Sequence, residues 1–169
     1  MREMLNAFYI DPVGGYSVSW NDFLSQISHK KNVNLNFKTE NNYHLFLELA
    51  CALVHGFDFE LVDAEWTEEE YMRVSGRPYV PTSHPCKPVE ISKIDDLISK
   101  FKQSNSKIIF YSSGTTGAPK KISHDFGAIT RFVKFNSVKK QCWAFTYSPT
   151  HMAGVQVLFE VLGGGSTLI

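Results

Sequence analysis

Cysteine is scarce in this chain of 169 residues. Cys51, Cys86 and Cys142 stand far apart and form no C-x-x-C pair, which excludes a disulfide framework or a cysteine-based zinc site and implies a reducing compartment. Charge of one sign is also missing, since Lys plus Arg and Asp plus Glu are both 17 and the net charge is zero. A neutral chain does not bind nucleic acid or acidic membranes by bulk electrostatics, although a local phosphate site stays open to it. Met1 to Asp11 has no apolar core for a signal peptide, and no stretch is apolar for long enough to span a bilayer, so a cytoplasmic protein is expected. Internal repeats and low-complexity tracts are absent too.

What is present fits a folded domain, with 43% hydrophobic and 20% charged residues. The length suffices for one ordinary core. Phe8–Ile10 and Tyr16–Trp20 read as short extended segments around Asp11-Pro12 and Gly14-Gly15. Ser19 can cap a helix carrying Phe23, Leu24 and Ile27, with Asp22 at capping-box distance. Residues 30–40 read as a loop with a short strand. Leu45, Phe46, Leu49, Ala50, Leu53 and Val54 share one helical face from Asn42 to the stop at Gly56, and Cys51 belongs to its buried part. Phe57, Phe59 and Leu61 alternate with Asp58 and Glu60, which reads as a strand ending at Val62-Asp63. Thr67 and Glu70 form a capping box for a helix to about Val74.

Four prolines (Pro78, Pro81, Pro85 and Pro88) make residues 76–88 a long irregular connection. Ser92 is the expected cap of an amphipathic helix through Ile94, Leu97, Ile98 and Phe101. A strand at Lys107–Tyr111 follows, then a glycine- and hydroxyl-rich loop and a short return strand at Lys121–Ser123. Asp125 is expected to cap a helix holding Ile129, Phe132 and Val133. Gln141–Thr146 reads as a strand, Val155–Leu162 as a helix stopped by Gly163, and Ser166–Ile169 as the start of another strand. Alternating helices and strands imply an α/β fold with a largely parallel sheet. The expected organisation is an α/β subdomain over 1–75, a proline-rich connection over 76–90 and a phosphate-loop α/β region over 91–169. A parallel sheet needs its neighbours covered, so a strand beginning at the last residues reads as the front piece of something longer.

The densest chemistry lies in Tyr111 to Lys120, Y-S-S-G-T-T-G-A-P-K. Gly114 and Gly117 let the backbone approach a ligand, Ser112, Ser113, Thr115 and Thr116 bring hydroxyls, and Lys120 brings a mobile positive charge. Together they suit a polyphosphate. A Walker A loop runs G-x-x-x-x-G-K-[ST] straight into a helix, whereas here Lys120 follows Ala118-Pro119 and no Ser or Thr comes next.

The stretch resembles the phosphate-binding loop of the AMP-forming adenylating superfamily, which comprises acyl-CoA synthetases, peptide-synthetase adenylation domains and luciferases. Ser112 to Gly117, Pro119 and Lys120 match its pattern [ST]-S-G-[ST]-T-G-x-P-K, and Ile122 fills the apolar position after it. Many members carry a histidine six residues after the lysine. Phe126 stands there in this chain and His124 comes at four, so His124 takes no family role. Downstream, Ser148 to Leu158 resembles the superfamily's P-x-x-H-x-x-G element beside the acyl-substrate pocket, which would put His151 and Gly154 at that pocket. Pro149 sits two residues before the histidine instead of three. The H-x-A-G-x-Q-V-L wording is similar to o-succinylbenzoate–CoA ligases.

The resemblance implies a two-step reaction. A small-molecule carboxylic acid attacks the α-phosphorus of ATP to give an acyl adenylate and pyrophosphate, and a thiol, usually coenzyme A, then displaces AMP. The loop would hold the β and γ phosphates, Thr116 would meet Mg²⁺ and Lys120 would offset phosphate charge. The superfamily's later aromatic–Thr–Glu element, ribose-binding aspartate and C-terminal lysine do not follow Gly117 here, so no catalytic residue is assigned and little adenylation is expected of residues 1–169 alone. Two other readings remain open at this stage: a short nucleotide-binding module, or catalytically inactive homologue, acting through a partner, and an α/β scaffold in which the loop is only a turn. Neither the acid nor the oligomeric state can be read from the sequence.

Overall fold

The computed structural model describes residues 6–112, 120–135 and 140–169. In chain order the elements are β1 (Ala7–Asp11), β2 (Tyr16–Ser19), α1 (Trp20–Ser28), β3 (Asn32–Asn34), α2 (Asn42–His55), β4 (Phe59–Glu60), α3 (Glu68–Ser75), β5 (Ser83–Pro85), α4 (Ile94–Gln103), β6 (Lys107–Ser112), β7 (Lys120–Asp125), α5 (Phe126–Ile129), β8 (Cys142–Trp143), α6 (Met152–Gly164) and β9 (Thr167–Leu168). They form sheets ordered β2-β1-β9-β8, β4-β6-β7 and β3-β5. The parallel pairs are β1–β9, β8–β9 and β4–β6, each reached by a crossover, as an α/β fold requires. Around them lie antiparallel pairs: β1–β2 and β6–β7 are neighbours in the chain, and β3–β5 is a separate small ladder.

Local chemistry sets most of the boundaries. Ser19 Oγ accepts from the Asp22 N–H at the start of α1, and Asn41 does the same for His44 at the start of α2. The Thr67–Glu70 capping box closes as expected, with Glu70 accepting from the Thr67 N–H at 2.8 Å and Thr67 Oγ1 accepting from the Glu70 N–H at 3.2 Å. α2 ends at Gly56, and its Cys51 is fully buried.

Several boundaries differ from expectation. Lys93, not Ser92, occupies the N-cap of α4, because the Asp96 carboxylate reaches back to both the Ser92 and the Lys93 N–H. The helix begun at Asp125 stops at Ile129. The Thr130 hydroxyl turns back onto the Phe126 carbonyl, and Phe132 points into solvent at 78% exposure. α6 runs past Gly163, which fits against Val133 and Phe135 where a side chain would clash, and ends at Gly165 in the left-handed region, φ +59°. Within the proline-rich connection, Ser83–Pro85 pairs with Asn32–Asn34, on an edge where proline's missing N–H is tolerated. β4 and β8 are shorter than expected. Around β8 the pairing with β9 is nevertheless continued by Thr167 N–H to Gln141 O and Phe145 N–H to Ile169 O.

The core is continuous from Phe8 in β1 to Leu168 in β9. Phe8 stacks on Phe23 with ring centroids 3.9 Å apart, while Phe101, Phe126 and Phe159 meet edge to face where α4, α5 and α6 converge. α2 lies at the centre, with Leu45, Phe46, Leu49, Ala52 and Leu53 each at most 1% exposed. Burying one such leucine contributes roughly 2 kcal/mol. Among the described residues no helix is long and apolar enough to cross a membrane.

Candidate functional site

β6 is the strand that delivers the glycine-rich stretch. Its partner β4 runs parallel to it, with Phe59 opposite Ile108 and Glu60 opposite Ile109, and Leu61 extends the pairing through its N–H to Ile109 O at 3.0 Å. β7 returns antiparallel, pairing residue by residue from Asp125 opposite Lys107 to Lys120 opposite Ser112. Ser112 Oγ donates to the Lys120 carbonyl at 3.4 Å. The hairpin therefore pins Ser112 and Lys120 together at the C-terminal end of β6. In open α/β sheets ligands bind beyond the carboxyl ends of parallel strands. Lys120 is exposed and Ser112 half-buried. Ser113, Gly114, Thr115, Thr116 and Gly117 lie outside the described residues, and the assignment of Thr116 to Mg²⁺ lies there with them.

One residue before this hairpin end, Tyr111 joins a buried polar cluster. Glu60 is 5% exposed. Its Oε1 accepts hydrogen bonds from the Tyr71 hydroxyl at 2.8 Å and from the Tyr111 hydroxyl, and its Oε2 accepts from Arg77 Nη2 at 2.5 Å. Tyr71 is fully buried, and the Trp66 and Tyr71 rings meet the Tyr111 ring edge-on at 5.6 and 6.3 Å. Burial, and then the hydrogen bond to Glu60, holds both phenols above the ordinary tyrosine range.

Alternation alone makes Glu60 part of a strand without saying what covers it; β4 is covered on both faces, so Phe59, Glu60, Leu61 and Val62 are all buried. The available signal was one glutamate in the apolar run F-E-L-V with tyrosines close by, since a buried carboxylate requires such donors.

The other predicted pair sits on the connection after β8. His151 is the N-cap of α6; its N–H donates to Ser148 O at 3.2 Å, and its exposed side chain makes no capping hydrogen bond. Gly154 is buried. A Cβ there would stand 2.2 Å from the Ser148 carbonyl oxygen, so the close approach of Ser148-Pro149 to α6 requires glycine at this position. The structure thus brings Ser112 and Lys120 together in one hairpin of the β4-β6-β7 sheet and His151 and Gly154 together at the start of α6, the helix between β8 and β9 of the other sheet.

A cavity of about 890 Å³ between α1 and α4 contains none of these residues. The Trp20 indole N–H near it has no hydrogen-bond partner, but that nitrogen is closed to solvent, so a ligand in the groove cannot reach it. Among the described residues no three His, Cys, Asp or Glu side chains gather to hold a metal ion.

No protein-family model matches the chain, and no curated protein does at significant similarity. Solved structures do. The o-succinylbenzoate CoA synthetase MenE of Bacillus subtilis, in complex with the acyl-adenylate intermediate OSB-AMP, superposes with a TM-score of 0.58 at 12% identity, over 96% of this chain and 51% of that one. The same enzyme in complex with AMP gives 0.53 at 14%, over 96% and 51%. A luciferase-like enzyme from the nonluminescent mealworm Zophobas morio gives 0.53 at 15%, over 98% and 52%. The chain spans about half the length of these proteins. Identities this low speak to fold alone, and at that level the α/β class is borne out: this chain folds as about half of MenE and of the luciferase-like enzyme does.

Proposed function

We propose that this chain carries the ATP-phosphate-binding loop of an AMP-forming carboxylate–CoA ligase, as the N-terminal portion of a longer adenylating enzyme. The observation that carries this reading is the β6–β7 hairpin. It brackets S-S-G-T-T-G-A-P-K between paired Ser112 and Lys120, at the carboxyl end of a strand parallel to β4. The fold shared with MenE and the luciferase-like enzyme supports it.

In this reading Ser112 to Gly117 donate backbone and hydroxyl hydrogen bonds to the β and γ phosphates. Lys120 neutralises part of their charge, which favours departure of pyrophosphate when a substrate carboxylate attacks the α-phosphorus. The donor set suits that task, since exposed Lys120 is free to reach solvent-borne phosphate and hydroxyls are hard-oxygen partners for Mg²⁺. Thr116 is the residue that would hold Mg²⁺, which when bound would supply positive charge to the phosphates. His151 and Gly154 belong to the acyl-substrate side, Gly154 by letting the Ser148–His151 turn lie close on α6. Coenzyme A enters as the thiol of the second step, and the assembly is cytoplasmic.

Thermal shift and calorimetry with MgATP test the reading. Ligand at 100 times Kd adds about 2.7 kcal/mol to stability. Lys120→Ala should abolish the shift while leaving the unliganded melting temperature nearly unchanged, because the residue is exposed. A wild-type chain that melts at the same temperature with and without MgATP overturns the reading.

A further inference from the structure

Glu60 and Tyr111 do more than fill space. From the geometry we infer that Glu60 is a positioning residue for the hairpin end that carries Ser112 and Lys120, acting through Tyr111 to hold the end of β6 in register; the inference rests on the reading of that end as part of the ATP-phosphate site.

Tyr111 immediately precedes Ser112, where the hairpin ladder closes, so any rotation of its backbone moves the paired Ser112 and Lys120. Three constraints converge on Tyr111. Its Cα stands opposite Lys121 in the β6–β7 ladder, its ring lies against Trp66 and Tyr71, and its hydroxyl is tied to Glu60. Glu60 is itself over-determined. Its backbone N–H donates to Leu35 O at 2.8 Å, Tyr71 brings a second phenol from α3, and Arg77 brings a cation from the segment after it. The carboxylate therefore joins α3, the following loop and β4 to the one strand that feeds the glycine-rich stretch. A hairpin end fixed in this way holds Ser112 and Lys120 in place before a ligand arrives, which lowers the cost of binding. An apolar pair would fill the same volume but would not fix the direction of the Tyr111 ring, whereas a hydrogen bond to a charged acceptor does.

A second buried glutamate supplies the control. Glu48 in α2 accepts from Lys30 Nζ and from the Asn34 N–H and side-chain amide, and none of these belongs to the β4-β6-β7 sheet. Glu60→Gln, Tyr111→Phe and Glu48→Gln should all lower the melting temperature. Calorimetry with MgATP, run well below each variant's unfolding transition, then separates the roles. Glu60→Gln and Tyr111→Phe should weaken MgATP binding about tenfold, the equivalent of one hydrogen bond to a charged group, and Glu48→Gln should leave Kd within about twofold. Tyr111→Phe keeps the ring and its packing, so it folds even where Glu60→Gln does not. Wild-type affinity in Tyr111→Phe, with binding still lost in Lys120→Ala, overturns the positioning role and leaves the phosphate site standing. So does equal weakening in Glu48→Gln. Absence of MgATP binding by the wild-type chain overturns both.

Discussion

Glu48 and Glu60 are the same residue type, buried to nearly the same degree, with side chains 7% and 6% exposed, and each takes part in an ion pair at 2.5 Å. Their surroundings differ. Glu48 faces a lysine that is 22% exposed and one asparagine, which tie α2 to β3. Glu60 faces an arginine that is 45% exposed and two phenols buried with it, which tie α3 to β4 and β6. A buried carboxylate is weak evidence of stabilisation, because its desolvation offsets most of its Coulombic gain. What distinguishes such groups is what they orient. Glu48 orients scaffold, and Glu60 orients the strand that leads into the candidate site.

Truncation should expose the difference most strongly. Glu60→Ala orphans two buried hydroxyls as well as Arg77, so a loss of about 4 kcal/mol is expected in denaturant unfolding. Glu48→Ala leaves a partly solvated lysine and the N–H and side-chain amide of exposed Asn34, and should lose about 2 kcal/mol less than that. Equal losses would break the comparison. Gly154→Ala, remote from both glutamates, sets the scale for backbone strain. The added methyl collides with the Ser148 carbonyl, and about 3 kcal/mol of destabilisation should appear without any change in the ranking of the two glutamate variants.

The smallest effect is a pH dependence. Tyr71 and Tyr111 have pKa values raised by burial and by Glu60, so the fold keeps them protonated more firmly than the unfolded chain does. Their contribution is therefore complete below the unfolded tyrosine pKa of about 10 and is lost as pH climbs above it. Urea unfolding between about pH 8 and pH 11 should show falling stability. Tyr111→Phe should flatten part of that slope, and Glu48→Gln only the small share that its charge adds through Cys51 and Cys86. The remainder persists because burial also raises Tyr9, to about 12, and Tyr43.

Much of the fold was legible because it is written locally. The caps at Ser19, Thr67 and Asp125, the 3.6-residue stripe of α2 and the β6 strand each follow from residues within one or two turns of each other. Boundaries failed where a distant element decided them. Gly163 is a packing glycine inside α6, lying against Val133 and Phe135, instead of a helix stop, and Ser83–Pro85 becomes a strand because Asn32–Asn34 pairs with it across the chain. The candidate site divides in the same way. Ser112, Lys120, His151 and Gly154 were named from short motifs, but the support under them was not, since Glu60, Tyr71, Arg77 and Tyr111 come from three separate stretches and carry no shared motif.

By itself the sequence determined the α/β class, the start of most helices and the identity of the glycine-rich stretch, all of which depend on short-range periodicity, capping and composition. Only the tertiary structure decided that Glu60 faces inward, that Ser112 and Lys120 lie paired, and that Gly154 is required by a neighbouring carbonyl. The physical reason is burial: whether a strand has one covered face or two depends on which elements close over it, and that is settled by contacts between residues far apart in the chain.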